Sequence, residues 1–352
     1  MATPEALLQI DKVVKHFPVQ RGAVVRRRIG TVHAVNGVTL EVKRGETLGL
    51  VGESGCGKST LARCVTRLLD PTAGRVLFKG QDITHLSRRQ MRPFRRQIQM
   101  IFQDPFSSLN PHRRVGSIIG DPFAIHRIAR GAERKRRVQE LMELVGLNPE
   151  HFNRFPAEFS GGQRQRIGVA RALALRPELV VCDEPVSALD VSIRAQIINL
   201  LEDLQSKLGL TYIFIAHDLS LVRHVSDRIA VMYLGKVVEI APPDELMIRP
   251  RHPYTYALLS AVPTVEMNGA PRHHRIVLSG EVPSALAPPA GCPFHPRCPK
   301  ARLRCTVEAP RLETRPGDAL DHQTACHYPV EPGEDLASSA VRHGEPEVPF
   351  HG

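Results

Sequence analysis

Nine consecutive residues, Gly52-Glu53-Ser54-Gly55-Cys56-Gly57-Lys58-Ser59-Thr60, have the types and spacing needed to hold a polyphosphate. Glycines at 52, 55 and 57 permit sharp backbone turns, so successive N–H groups and a helix N-terminus can converge on phosphate oxygens. Lys58 would add a point charge at the β- and γ-phosphates, and Ser59 a hydroxyl for Mg²⁺. Taken alone, the stretch also fits a Gly-rich connection that happens to contain Gly-Lys-Ser.

Two further strings sharpen the chemistry. Leu179-Val180-Val181-Cys182 ends in Asp183 and Glu184, which sets two acids at the C-terminal end of an apolar strand. There Asp183 can orient a Mg²⁺ shell and Glu184 can polarise an attacking water. Phe159-Ser160-Gly161-Gly162-Gln163-Arg164-Gln165-Arg166 opens a helix, with Ser160 as N-cap and two glycines that leave the helix N-terminus open to an anion. The full string is far more specific than capping requires.

These groups need a scaffold. Residues 47–51 form a short buried strand before the cradle, and residues 61–65 the first turns of a helix after it. Strands are also predicted at 7–17, 38–42 and 75–78, with the basic stretch 18–31 a surface hairpin or loop. Residues 179–182 and 211–216 are two more strands, joined by a helix over 191–208, which makes a parallel α/β sheet. Residues 104–177 form a helical insertion with patterns over 115–128, interrupted by Pro122, and 133–145, and with breaks at Pro149 and Pro156. After about residue 250 the composition turns to Pro, His, Arg and Cys. The expected organisation is a nucleotide-binding domain over 1–250, a small domain over 251–330, and a disordered tail over 331–352.

At 352 residues and 42% hydrophobic, the chain can build these cores. It has no apolar run long enough for a membrane span and no signal-peptide core in its first thirty residues, so the expected location is the cytoplasm. The net charge of +11 gathers in residues 21–28 and 88–137. Such clusters suit nucleic acid, anionic headgroups or a solvated surface, and the lack of interleaved aromatics weighs against nucleic acid. Seven cysteines in a reducing compartment do not make a disulfide framework, and Cys182 is expected to be a core residue.

With Met100-Ile101-Phe102-Gln103-Asp104-Pro105, Ser187-Ala188-Leu189-Asp190 and Phe214-Ile215-Ala216-His217-Asp218, the sequence resembles the ATP-binding cassette ATPases over about residues 7–260. The resemblance implies an α/β P-loop NTPase fold of ABC type, with a RecA-like core, an antiparallel β subdomain, a helical subdomain over about 104–177 and a small Cys-containing C-terminal domain. It implies two cassettes meeting head to tail, so that one chain's phosphate loop and the partner's Ser160-Gly161-Gly162-Gln163 signature enclose one ATP. By the same resemblance Asp190 belongs to the D-loop. Phe17 stacks on adenine where many relatives carry Tyr. Ser59, Gln103 and Asp183 hold Mg²⁺, Lys58 serves catalysis, Glu184 is the general base and His217 contacts the γ-phosphate. ATP binding then closes the dimer and hydrolysis reopens it.

Gln103-Asp104-Pro105-Phe106-Ser107-Ser108-Leu109-Asn110-Pro111, Glu184-Pro185-Val186-Ser187 and His252-Pro253-Tyr254-Thr255 resemble the ATPases of dipeptide and oligopeptide importers, the second string their second, F-type subunit. The implied partners are two membrane-spanning permeases, a sister ATPase or a second copy of the chain, and an extracytoplasmic peptide-binding protein. The implied place is peripheral, on the cytoplasmic face of the inner membrane, with no nucleic acid partner. Importers of nickel and other small solutes share the pattern, and non-transport metabolic complexes use close relatives. A soluble cassette ATPase of repair or translation would show two cassettes or a long coiled-coil insertion, and neither is visible.

Cys292, Cys298, Cys305 and Cys326 crowd the last fifth of the chain, with Pro293 and Pro299 after the first two. Four thiols in a loop-rich cytosolic segment suggest a metal. The tight pairs of structural Zn²⁺ are missing, iron–sulfur clusters accept looser spacing, and reduced structural thiols stay open. Similar extensions in the peptide-importer ATPases imply a [4Fe–4S] cluster. His295, His322 and His327 are nearby competitors for ligation.

Overall fold

The computed structural model describes residues 6–21, 27–104, 108–261, 276, 278 and 280–336. Three runs buried at every position, β3 (Thr47–Val51), β7 (Leu179–Asp183) and β8 (Thr211–Ile215), form the middle of a sheet. Apolar runs without polar alternation suit strands covered on both faces. They pair in parallel with one another and with β6 (Ile98–Ile101) and β9 (Arg228–Tyr233). Antiparallel β10 (Lys236–Ala241) and β11 (Gln323–Thr324) complete the order β11-β10-β9-β3-β8-β7-β6. A second, antiparallel sheet is built from β1 (Ala6–Arg21), β2 (Arg27–Lys43), β4 (Ala73–Phe78) and β5 (Gln81–Asp82), in the order β2-β1-β4-β5.

The main sheet is covered on both faces. One core packs Leu8, Ile10 and Val42 of the antiparallel sheet with Leu48, Val181 and with Leu61 of α1 (Lys58–Val65). The other packs Ile118, Val138 and Ile167 of the helical segment with Val180, Ile197 and Leu201. Each such side chain, fully buried, contributes about 1.5–3 kcal/mol. The helical segment holds α2 (Val115–Ile125), α3 (Gly131–Leu144) and α4 (Gly161–Leu173), and α5 (Val191–Leu208) crosses from β7 to β8. A further helix, α6 (Leu219–Val225), follows β8.

Two details differ from the sequence expectations, and a third meets one of two expected forms. Pro122 lies inside α2 and does not interrupt it. Burial of Ile118, Ile119 and Phe123 against the core offsets the roughly 3 kcal/mol cost of an interior proline. Of the basic stretch 18–31, expected as a hairpin or loop, residues 18–21 and 27–31 are the distal strands of the β1/β2 hairpin, with Arg21 opposite Arg27, and residues 22–26 lie outside the described residues. The tail does not lose order at 331. Leu336 is fully buried against Tyr256, Ile276 and Val330, and Lys300 binds Glu334 at 2.5 Å. The rest of that expected tail, 337–352, lies outside the described residues, as do Pro105, Phe106 and Ser107.

The C-terminal residues are fastened to the main body. β11 joins the edge of the main sheet, and α7 (Pro253–Ser260) sends Tyr254 into its core. Cys292, Phe294 and Cys305 belong to the same core.

Candidate nucleotide-binding and catalytic site

Strand register brings the motifs together. Leu50 pairs with Ile215, and Ile215 with Asp183, so these residues form one row across β3, β8 and β7. Ile101 pairs with Cys182 one step back. Parallel strands end on the same edge of a sheet, where ligands of such folds bind. The segments leaving β3, β6, β7 and β8 therefore deliver Lys58, Gln103, Glu184 and His217 to one place.

The loop after β3 needs its glycines. Gly57 has φ +107°, and a Cβ there would lie 2.1 Å from the Ala34 carbonyl oxygen. Gly52 has φ +149°, with the Met232 carbonyl 2.1 Å from its would-be Cβ. Neither position accepts a side chain without moving backbone. Lys58, only 4% exposed, donates from Nζ to the Gly52 carbonyl at 2.7 Å and the Glu53 carbonyl at 3.0 Å. Ser54 and Gly55 are exposed at the loop tip, Cys56 is buried beneath it, and Thr60 sits half-buried in the first turn of α1. Burial raises the Cys56 thiol above its ordinary value, partly offset by Lys58.

Opposite the loop, the Ser59 hydroxyl donates to Asp183 Oδ1 at 2.7 Å. Burial pushes the Asp183 carboxyl up, against the lowering effect of that hydrogen bond. Gln103 Nε2 donates to Glu184 Oε2 at 2.8 Å, and His217 Nδ1 is 3.7 Å from the same oxygen. Glu184 holds φ 46°, and its N–H donates to the Ile215 carbonyl at 3.0 Å. That left-handed backbone, unusual for a non-glycine residue, fixes the carboxylate at the strand end. The oxygens of Ser59, Gln103 and Asp183 are hard donors of the kind Mg²⁺ takes. A groove of about 810 Å³ runs from Gln103 and Asp183 past Arg171 to α2.

Phe17 lies half-buried on β1, opposite Val32 on β2, with the Lys15 ammonium 5.1 Å from its ring centre. Two residues further along β2, Ala34 overlies Gly57. Ser160 caps α4: its hydroxyl accepts from Gln163 N–H at 3.3 Å and Gln163 Oε1 accepts from Ser160 N–H at 3.0 Å. Gly162 is pressed against Ile193 of α5, where a Cβ would come within 2.4 Å, and Gly161 faces Leu189 at ordinary contact distance. Asp190 is the exposed N-cap of α5.

Two site neighbours were not identified from sequence. The Glu53 N–H donates to Tyr254 Oη at 2.9 Å, and its carboxylate receives the Arg297 guanidinium at 3.0 Å. Tyr254 stood in a recognised string without a role, and Arg297 had no local signal.

Of the four late cysteines, two are in direct backbone contact. Cys292 N–H donates to the Cys305 carbonyl at 2.8 Å. Burial, and then the neighbouring thiols, raise Cys298, and the same causes push Cys326 up to about 12. Among the described residues no group of three or more His, Cys, Asp or Glu side chains is disposed to hold a metal ion. The expectation of a metal thus finds no formed site among the described residues. Of the competing histidines, His322 is committed to Glu239 at 2.7 Å, while His295 and His327 bond the Cys292 and Glu308 carbonyls.

Both parts of the chain match known protein families. Residues 35–187 match the ABC transporter family, and residues 238–305 match the oligopeptide/dipeptide transporter C-terminal region. The chain is 54% identical over 327 residues to the oligopeptide transport ATP-binding protein AppF of Bacillus subtilis, covering 93% of this chain and 98% of that protein. It is 47% identical to the di/tripeptide transport ATP-binding protein DppF of Pseudomonas aeruginosa, covering 92% and 98%. Among solved structures, it resembles an ATP-binding cassette dimer in a post-hydrolysis state bound to ADP and Pi. There the TM-score is 0.59 at 28% identity, covering 67% of this chain and 98% of that one. CbiO1 from Clostridium perfringens, part of the cbiONQ ABC transporter complex, gives a TM-score of 0.58 at 28% identity, covering 68% and 90%.

Proposed function

This chain belongs to the ABC transporter ATP-binding subunits that carry the oligopeptide/dipeptide C-terminal region, and on that premise we propose a division of labour among its residues. It is an ATPase subunit that powers import of short peptides. One observation supports the site assignment above others: Ser59 with Asp183, and Gln103 with Glu184, are hydrogen-bonded pairs formed from four separate segments at one sheet edge. Lys58 holds carbonyls of its own loop, and the β- and γ-phosphates would take over those contacts. Glu184, oriented by Gln103, is the base that accepts the proton of the attacking water, and His217 stands beside it for the γ-phosphate. Mg²⁺ held by Ser59, Gln103 and Asp183 would neutralise charge on the phosphate oxygens.

ATP joins this phosphate loop to the Ser160-Gly161-Gly162-Gln163 surface of a partner cassette, a sister ATPase or a second copy. Closure follows binding, and reopening follows loss of the γ-phosphate. The groove beside Gln103 and α2 is where movement at the site would reach a permease on the cytoplasmic face. No helix among the described residues is long and apolar enough to cross a membrane. Attachment to the membrane therefore falls to the two permeases, with an extracytoplasmic protein presenting the peptide.

The remaining assignment concerns Cys292, Cys298, Cys305 and Cys326. What supports a [4Fe–4S] cluster, with Zn²⁺ as the alternative, is the loose spacing of four thiols in a loop-rich segment, although among the described residues no group of three or more potential ligands is disposed to hold a metal ion. Such a cluster would staple the C-terminal loops together.

The test is purification from detergent-solubilised native membranes, followed by ATP-dependent uptake in reconstituted vesicles. Two polytopic permeases should accompany the chain, and labelled di- to oligopeptides should accumulate. Uptake of nickel but not peptides would overturn the cargo, and recovery with soluble metabolic enzymes would overturn transport.

A further inference from the structure

The C-terminal region reaches back to the nucleotide site through one residue. Glu53, the second residue of the phosphate loop, is held at three points. Its N–H donates to Tyr254 Oη at 2.9 Å, its carbonyl accepts from Lys58 Nζ at 3.0 Å, and its carboxylate receives Arg297 at 3.0 and 3.3 Å. The Arg297 side chain is 9% exposed and Glu53 27%, so water screens this pair poorly. Arg297 sits between Cys292 and Cys298, and Phe294 of the same loop is fully buried against Tyr233 and Tyr254, with ring centres 5.2 and 5.4 Å away. The loop is wedged by Phe294 and aims its one guanidinium at the phosphate loop. A planar fork on a carboxylate fixes direction as well as distance.

We propose that Arg297 and Tyr254 are positioning residues for ATP binding: they hold Glu53, and through it Gly52 to Lys58, in the phosphate-accepting conformation. Lys58 makes the link direct, because in the empty loop it rests on the carbonyl of the clamped Glu53, the contact it would exchange for phosphate. A loop of glycines at φ +149°, +78° and +107° pays a large ordering cost when it closes on a ligand, and a clamp removes part of that cost beforehand. The inference rests on the ATP reading above.

The experiment uses the full chain and a fluorescent ATP analogue, with variants Arg297→Gln, Arg297→Lys, Tyr254→Phe and Glu53→Gln. Arg297→Gln should weaken nucleotide binding about five- to tenfold, in the usual range of coupling between sites, and raise KM more than it lowers kcat. Arg297→Lys, which keeps charge but loses the fork, should fall between it and wild type. Combining Glu53→Gln with Arg297→Gln should add little to either alone, since both break one contact. Tyr254→Phe keeps the ring and deletes only the acceptor, so it decides the matter if Arg297→Gln does not fold. Wild-type affinity in folded Tyr254→Phe and Arg297→Gln overturns the inference. Loss confined to the melting temperature, or additive effects in the double variant, makes the clamp structural only and also overturns it. Failure of the unaltered chain to bind the analogue would instead overturn the ATP reading.

Discussion

Gln103 Nε2 and Glu184 Oε2 meet at 2.8 Å although the two residues follow different strands and lie 81 positions apart. The amide donor fixes one lone pair of the carboxylate and leaves its other oxygen for a water. Glu184→Gln keeps the shape and removes the proposed base. The variant should bind ATP with near-wild-type affinity and hydrolyse it at least about a hundredfold more slowly, the scale of general-base catalysis. Parallel binding titrations and phosphate-release rates check this; undiminished turnover would take Glu184 out of the role.

Gly57→Ala tests the phosphate loop by sterics alone. The new Cβ would lie 2.1 Å from the Ala34 carbonyl in a backbone with φ +107°. The loop or β2 has to shift, at a cost of about 1–3 kcal/mol in the usual range for backbone strain. A lower urea midpoint together with lost ATP binding is the expected pair of results. A midpoint within error of wild type would show that the loop relaxes freely.

His322 gives a pH dependence with a definite sign. The imidazole is fully buried, and burial alone would lower its pKa; the hydrogen bond and charge of Glu239, with Asp318 and Glu245 nearby, raise it above its ordinary value. Glu239 also accepts from the Arg251 and His252 N–H groups, and Arg251 pairs with Asp318 at 3.1 Å. A raised histidine contributes stability that is fully present below its unfolded pKa of about 6.5 and is lost as pH rises through the folded value. Urea unfolding across that range should show stability falling with pH, and His322→Gln, which keeps a donor but cannot titrate, should flatten the slope. An unchanged slope would exclude His322 as its source.

Anaerobic purification followed by iron and acid-labile sulfide analysis addresses the late cysteines. Iron and sulfide in equal amounts, lost together in Cys298→Ser, are expected. Folded protein carrying zinc in place of iron would favour Zn²⁺, and folded protein free of both would return the four residues to reduced structural thiols.

Much of the candidate site was legible because its parts are local. Gly52 to Thr60, Leu179 to Glu184 and Ser160 to Gln163 each combine a recognisable residue set with the strand or helix end that positions it, and α5 appears over residues 191–208 as its pattern predicts. Parallel strands separated by a helix also determine that the motifs emerge at one edge. Tertiary structure decided what depends on distant partners. Pro122 stays inside α2 because its neighbours are buried, and Leu336 extends order past the expected boundary because Tyr256 and Val330 receive it. Arg297 reaches Glu53 across 244 residues of sequence, and Tyr254 across 201. No periodicity or spacing encodes such contacts. They exist because β11 and the aromatic cluster around Phe294 fasten the C-terminal region onto the sheet whose central strand leads into the phosphate loop.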